Sequence, residues 1–285
     1  MKHALVLGGG GPAAAAFEIG IVAGLADGGI GVREAELFIG TSAGARVAVM
    51  LAGATSLAEL YRRQVAPATV SPHGGADITQ WRQRVIAAKQ AGGSASEILM
   101  RMGELARSVP SDGETARQRR AEIAAQLGAS DWPARRVLAV AVEVESGTRR
   151  AFERTSAVAL VDAVAASGAL PGVYASVEIE ARHYMDGGMY STDNADLAAD
   201  CDRVLVIALR AGEPRLPLVG IEDTMGGLAH VELIQPDQAS QATLAAFGGN
   251  VLDPRVAPAM ARAARTQGQR IARRIAVFWR AEHAA

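Results

Sequence analysis

The chain has 285 residues, of which 49% are hydrophobic and 21% are charged, and this composition is typical of a folded, water-soluble protein. Its formal net charge of -1 provides no overall attraction to nucleic acid or to an anionic membrane, so no nucleic-acid partner is expected. No stretch reaches the roughly 20 apolar residues that a membrane-spanning helix needs. Glycines at 8–11 interrupt the N-terminal apolar run, which argues against a signal peptide. We therefore expect a cytoplasmic protein.

The sequence contains few of the side chains that hold structural crosslinks or metals. Cys201 is the only cysteine, so the fold cannot depend on an internal disulfide. The 5 histidines are scattered along the chain, and no set of ligands has the spacing of a metal site. We therefore predict neither a bound metal nor a cofactor.

The first 60 residues alternate between short apolar runs and helix-forming segments. Ala4–Leu7 is followed by four glycines, which predicts a buried parallel strand that enters a tight turn. Pro12 suits the first turn of a helix, where its missing N–H group has no cost. Strand–helix alternation predicts a three-layer α/β sandwich with a mostly parallel central sheet. The next predicted elements are a helix over 13–25, a strand over 37–39 and a helix over 45–52.

The remaining chain is irregular at first and then regular again. Residues of about 62–135 carry polar and charged clusters, and we predict that they form a cap or lid insertion with a helix over 114–127. We otherwise predict a single domain over 1–285, because no linker or repeat divides it. The later predicted elements are strands over 137–144, 177–184 and 204–209 and helices over 158–166 and 256–279.

A G-x-S-x-G pattern, Gly40-Thr41-Ser42-Ala43-Gly44, lies between a predicted strand and a predicted helix. Small neighbours let a serine sit in a sharp, strained turn that lifts its hydroxyl clear of the sheet. The same turn places the hydroxyl at a helix N-terminus, where negative charge is stabilised. The pattern alone is also compatible with a plain turn in which Ser42 is a small cap.

The glycine run at 8–11 has two functional interpretations besides simple packing. It could cradle a phosphate in a nucleotide-binding fold, or its bare N–H groups could bind an oxyanion. A dinucleotide fold should carry an acidic residue at the end of its second strand, but that position holds the Ser42 turn instead. Two glycine-rich turns on successive strands favour acyl transfer, with a hydroxyl on one turn and N–H donors on the other.

Asp186-Gly187-Gly188 is the best candidate for a catalytic base. An acid followed by two glycines after a strand presents a carboxylate with little steric cover, although Asp-Gly is also a common plain turn. A Ser-His-Asp triad would need a catalytic histidine, and no histidine stands in a catalytic pattern, although His183 and His230 stay open. Only one strand precedes the serine-bearing strand, which argues against the usual triad fold.

These motifs, in this order, resemble patatin-like phospholipases over roughly residues 4–60 and 135–210. Ser167-Gly168-Ala169-Leu170-Pro171 is similar to the family's Ser-x-x-x-Pro stretch, and Asn194 falls where members often keep an Asn. The sequence departs from the family at Pro12-Ala13, where many members have an Arg and another Gly.

The resemblance implies a serine esterase that cleaves a lipid or other acyl ester without a cofactor. Ser42 would be the nucleophile and Asp186 the base of a dyad without histidine. Gly40, Gly44, Gly187 and Gly188 would shape the two turns. The backbone N–H groups of Gly9, Gly10 and Gly11 would form the oxyanion hole. Two alternatives remain, a catalytically inactive lipid-binding relative and a nucleotide-binding protein that uses the glycines at 8–11.

The segment 256–279 is rich in arginine and has Ile271, Ile275, Phe278 and Trp279 on one helical face. A basic amphipathic helix of this kind could rest on anionic lipid headgroups, which would give peripheral membrane contact. The favoured interpretation is a surface helix that packs its apolar face on the sheet.

Overall fold

The fold is built around one eight-stranded sheet, seen in a computed structural model that describes residues 1–67, 78–209 and 218–280. The strands are β1 His3–Leu7, β2 Leu37–Thr41, β3 Arg136–Glu143, β4 Arg149–Phe152, β5 Val177–Ile179, β6 Arg182–Asp186, β7 Arg203–Ile207 and β8 Val231–Ile234. The longer helices are α1 Gly11–Asp27, α2 Ala43–Ala52, α3 Leu57–Val65, α4 Ile78–Gln90, α5 Ala95–Arg107, α6 Gly113–Leu127, α7 Leu160–Ser167, α8 Ile221–Met225, α9 Gln238–Ala246 and α10 Ala257–Arg280.

The strand order is β5-β6-β3-β2-β1-β7-β8, with β4 also paired to β3. Strands β3, β2, β1, β7 and β8 run parallel to their neighbours in that series. Strands β4, β5 and β6 are antiparallel. Because β1 and β2 are parallel neighbours, the glycine run and the Ser42 turn emerge at the same edge of the sheet.

Both faces of the sheet are covered, as the near-continuous apolar strands require. Leu5 and Leu7 of β1 enter a large core that also contains side chains of α1, α2 and α10. Ala4 and Val6 face the other way, into a core with Ile221 of α8. The predicted α/β fold with a mostly parallel sheet between helical layers is therefore confirmed.

Helix α1 is buried along most of its length and packs closely against α10. Gly20 and Gly24 of α1 lie on one face of the helix, and Gly28 follows directly after its end with the same spacing. A Cβ atom on Gly20 would lie 2.6 Å from the carbonyl oxygen of Ala261, and one on Gly24 would clash with that of Arg265. Gly268 on α10 is equally constrained, with 2.5 Å to the Ile21 carbonyl oxygen. The two backbones can approach this closely only because side chains are absent at the contact.

This packing corrects the favoured interpretation of the C-terminal helix. The helix itself is confirmed, and Ile275 and Trp279 are buried, but its main partner is α1 and not the sheet. Several of its arginines form ion pairs with acids of other elements. These pairs are Arg265–Asp27, Arg270–Asp237 and Arg274–Glu232. Peripheral contact with a membrane stays a prediction.

One predicted strand is wrong. The segment 177–184 forms the hairpin β5–β6, in which Glu180 and Ala181 turn the chain with φ of 52° and 59°. Left-handed conformations at both central residues are those of a tight two-residue hairpin turn. The hairpin places Asp186 at the last position of β6 and not on an open loop.

The segment 62–135 contains more helix than its sequence indicates. Helices α4 and α5 occupy part of it in addition to the predicted helix, now α6, while residues 68–77 lie outside the described chain. That this segment acts as a cap or lid stays a prediction.

Candidate active site

The glycine run and the Ser42 turn touch each other at the carboxyl edge of the sheet. A Cβ atom on Gly9 would lie 3.3 Å from the Ser42 Cβ atom, and one on Gly44 would clash with the carbonyl oxygen of Leu7. A Cβ atom on Gly40 would meet the Ala45 nitrogen at 2.6 Å. The glycines of both predicted motifs are thus required for this close approach.

Ser42 has a strained backbone. Its φ of 57° and ψ of -120° are rare for a residue with a side chain, and such conformations cost on the order of 1–3 kcal/mol. Ser42 is also the N-cap of α2, so its side chain stands where the helix dipole favours negative charge.

Ser167 holds this strained turn in place. Its hydroxyl accepts a hydrogen bond from the Ser42 N–H at 2.9 Å and donates one to the Val140 carbonyl oxygen at 2.6 Å. One fully buried side chain therefore ties the Ser42 turn to β3. The sequence analysis named Ser167 only as part of the Ser-x-x-x-Pro stretch and did not predict that it bridges Ser42 and β3.

Asp186 is 2% exposed and sits at the end of β6. Burial raises the pKa of its carboxyl group to about 6, because a charged group is poorly solvated there. The Ser42 side chain, the Gly188 N–H at 2.8 Å and the guanidinium groups of Arg119 and Arg46 each lower that pKa in part. Gly187 permits this placement, since a Cβ atom there would clash with the Val140 carbonyl oxygen.

Ser42 and Asp186 line the same cavity of about 1050 Å³. The Ser42 side chain is close enough to the Asp186 carboxyl group to lower its pKa by hydrogen bonding. The structure thus brings the two predicted catalytic residues together.

The glycine run supplies fewer free donors than predicted. The Gly9 N–H already donates to the Thr192 carbonyl oxygen at 2.7 Å, so this group is not available to an oxyanion. Within the described part of the chain, the N–H groups of Gly10 and Gly11 have no acceptor. Gly11 and Ala43 line the cavity beside Ser42.

The segment that follows Asp186 fixes both turns. Thr192 holds Gly9, and the Asn194 side chain donates to the Thr41 hydroxyl at 3.0 Å and to the Ser191 carbonyl oxygen at 2.7 Å. Asn194 has a left-handed backbone with φ of 55°, which asparagine tolerates well. Sequence reasoning singled out Asn194 only by resemblance and missed Ser191 and Thr192.

The two histidines left open by the sequence have other positions. His183 lines the cavity, and its Nδ1 contacts the Ser176 hydroxyl at 3.2 Å. His230 directly precedes β8, which runs parallel to β7. It therefore lies at the amino edge of the sheet, opposite the Ser42 turn.

The described residues contain neither a cluster of metal ligands nor a helix that could cross a membrane. Within residues 1–67, 78–209 and 218–280, no three side chains of His, Cys, Asp or Glu are grouped as metal ligands. Among the same residues, no helix is both long and apolar enough to cross a bilayer. Cys201 is buried, and burial raises the pKa of its thiol to about 11.

The fold and the turn at its sheet edge define an α/β protein with a serine on a strand–turn–helix elbow. A family model described as patatin-like phospholipase matches residues 5–199, which is more than half of the chain. The chain therefore belongs to the patatin-like phospholipase family, whose members are in general lipid acyl hydrolases. No curated protein matches the chain. Strands β7 and β8 and helices α8 to α10 follow the matched region.

Proposed function

We propose that the protein is a serine esterase that cleaves carboxylic esters of lipids through a Ser42–Asp186 dyad. The observation that carries this proposal is the contact of a strained serine with a buried carboxyl group in one cavity. Membership of the family supports the reaction class.

In the first half-reaction, the Ser42 hydroxyl oxygen attacks the ester carbonyl carbon while Asp186 accepts the hydroxyl proton. With a pKa of about 6, Asp186 is about nine-tenths ionised at neutral pH and is a better base than an ordinary aspartate. The N–H groups of Gly10 and Gly11 stabilise the oxyanion, and the helix N-termini of α1 and α2 add to this effect.

The tetrahedral intermediate then collapses to an acyl-enzyme. The C–O bond to the alcohol breaks, and Asp186 returns its proton to the departing alcohol oxygen. In the second half-reaction, water attacks the acyl-enzyme, Asp186 takes a proton from it, and the Ser42 oxygen leaves with that proton. The products are the free acid, the alcohol and the unchanged dyad.

The test is active-site labelling with a fluorophosphonate together with turnover of a short-chain nitrophenyl ester. We expect the label on Ser42, no labelling of Ser42→Ala, and turnover lost in both Ser42→Ala and Asp186→Asn while circular dichroism stays unchanged. Full turnover by either variant would refute the dyad. A folded wild-type protein that binds lipid vesicles without taking the label would instead support the inactive lipid-binding alternative.

A further inference from the structure

Two arginines line the cavity close to the dyad. Arg46 lies on α2, one turn after Ser42, and Arg119 lies on α6. Each guanidinium group lowers the pKa of Asp186, which places both within electrostatic reach of that carboxyl group. The positive charge of Arg46 also lowers the pKa of Arg119, so the two guanidinium groups lie within electrostatic reach of each other.

Neither arginine forms an ion pair with a residue that the structure describes. The Arg46 side chain donates to the Gln126 amide oxygen. The Arg119 side chain donates to the Gly168 carbonyl oxygen at 2.8 Å and lies over the Tyr174 ring at 4.3 Å. All of these partners are neutral.

Two neighbours on α6 show the usual arrangement for comparison. Arg117 pairs with Glu114 and Arg120 pairs with Asp162, and both of these arginines are mainly exposed. Arg46 and Arg119 differ because burial lowers the pKa of both guanidinium groups, that of Arg119 to about 10. A desolvated cation without a counter-ion is costly, so proteins normally pair it.

The nearby acids supply only part of this counter-charge. Glu18 is fully buried with both carboxyl oxygens unbonded, and burial raises its pKa well above the ordinary value, which favours the neutral form. Glu122 attracts Arg119 only through space and accepts a hydrogen bond from Gln118. Asp186 attracts both arginines through space, but its single carboxylate charge offsets one of the two at most.

We propose that Arg46 and Arg119 bind an anionic oxygen group of the substrate, a phosphate or a carboxylate, while Ser42 attacks its ester bond. This inference rests on the proposed function and narrows it from esters in general to esters that carry a negative charge. The planar guanidinium group presents several N–H donors that can bind two oxygens of a carboxylate or a phosphate at once. The bound anion would supply the charge that the cavity wall lacks.

The experiment compares two matched pairs of esters with the same acyl chain. Octanoylglycerol phosphate is compared with octanoylglycerol, and octanoyloxybenzoate with octanoyloxybenzamide, so that the phosphate and carboxylate sources are separated. The variants are Arg46→Gln and Arg119→Gln, each checked by thermal unfolding. Arg62→Gln is the control, because Arg62 is exposed, pairs with Glu59 on α3 and does not line the cavity.

We expect wild type to prefer the anionic member of at least one pair. Each cavity variant should raise KM for that anionic ester by about ten- to a hundredfold, the loss typical of a charged hydrogen bond, and leave KM for its neutral partner unchanged. Arg62→Gln should behave as wild type. Two results would overturn the anion site while the proposed esterase activity stands. One is an equal wild-type kcat/KM on charged and neutral esters. The other is an equal rise in KM on both kinds of ester in the cavity variants. No hydrolysis of any ester by wild type would instead overturn the proposed function.

Discussion

Replacing Asp186 by asparagine should make the protein more stable and inactive at the same time. Burial raises the pKa of Asp186 from 3.8 to about 6, so the folded state resists ionisation of this group. Each pKa unit corresponds to about 1.36 kcal/mol, so the ionised carboxylate destabilises the fold by about 3 kcal/mol. Asparagine removes the charge and keeps an oxygen that can accept the Gly188 N–H.

The stability difference between this variant and wild type should depend on pH. Because the folded pKa lies above the unfolded value, the destabilisation is absent below about pH 4 and complete above about pH 6. We therefore expect Asp186→Asn to become increasingly more stable than wild type as the pH rises from 4 to 7. The difference between their free energies of unfolding, measured by urea titration, should grow by about 3 kcal/mol over this range. The kcat/KM of wild type should fall below about pH 6 as the base becomes protonated.

A second carboxylate provides a control of opposite sign. Asp112 caps α6, and its hydrogen bond from the Thr115 N–H lowers its pKa. This exposed group stabilises the fold when ionised, so Asp112→Asn should be less stable than wild type at neutral pH and approach it in acid. A stability difference for Asp186→Asn that stays constant with pH would refute the argument that Asp186 is a buried charge.

Three further substitutions test the turn and the helix packing. Ser42→Gly should be more stable than Ser42→Ala by about 1 kcal/mol in urea unfolding, because glycine relieves the positive φ; equal stability would contradict backbone strain. Ser167→Ala should lower the free energy of unfolding by about 1–3 kcal/mol and should lower kcat, because it removes the hydrogen bonds of Ser167 to the Ser42 N–H and the Val140 carbonyl oxygen. An unchanged kcat would show that Ser167 does not position Ser42. Gly24→Ala should strongly lower the midpoint of thermal unfolding, because the added Cβ atom meets the backbone of α10. Gly227 has open space around it, so Gly227→Ala should barely change that midpoint. Similar midpoints for the two variants would contradict the close contact between α1 and α10.

The local chemistry of the two turns was readable because glycine and proline constrain the backbone directly. The strand, the glycine run and Pro12 predicted the start of α1, and the small residues around Ser42 predicted the elbow. The sequence analysis missed the signal for the start of α5, which is a capping box formed by Ser94 and Glu97. The turn of the β5–β6 hairpin carries no such signal, because glutamate and alanine rarely adopt positive φ.

Contacts between distant segments were beyond local reasoning. The carbonyl that occupies the Gly9 N–H belongs to Thr192, and the sequence near Gly9 does not reveal this partner. The raised pKa of Asp186 depends on how completely other elements enclose it. The family resemblance predicted that Ser42 and Asp186 would meet, while the arginines around them became apparent only in three dimensions.

The contact between α1 and α10 bears on where the chain can be shortened. The matched family region ends at residue 199, before β7, which pairs with β1, and before α10, which covers the glycine face of α1. A protein cut at that point would expose an apolar strand edge and an apolar helix next to the elbow. Helix α10 thus packs in one unit with α1 and the sheet, and a shortened version of the chain should extend through Trp279.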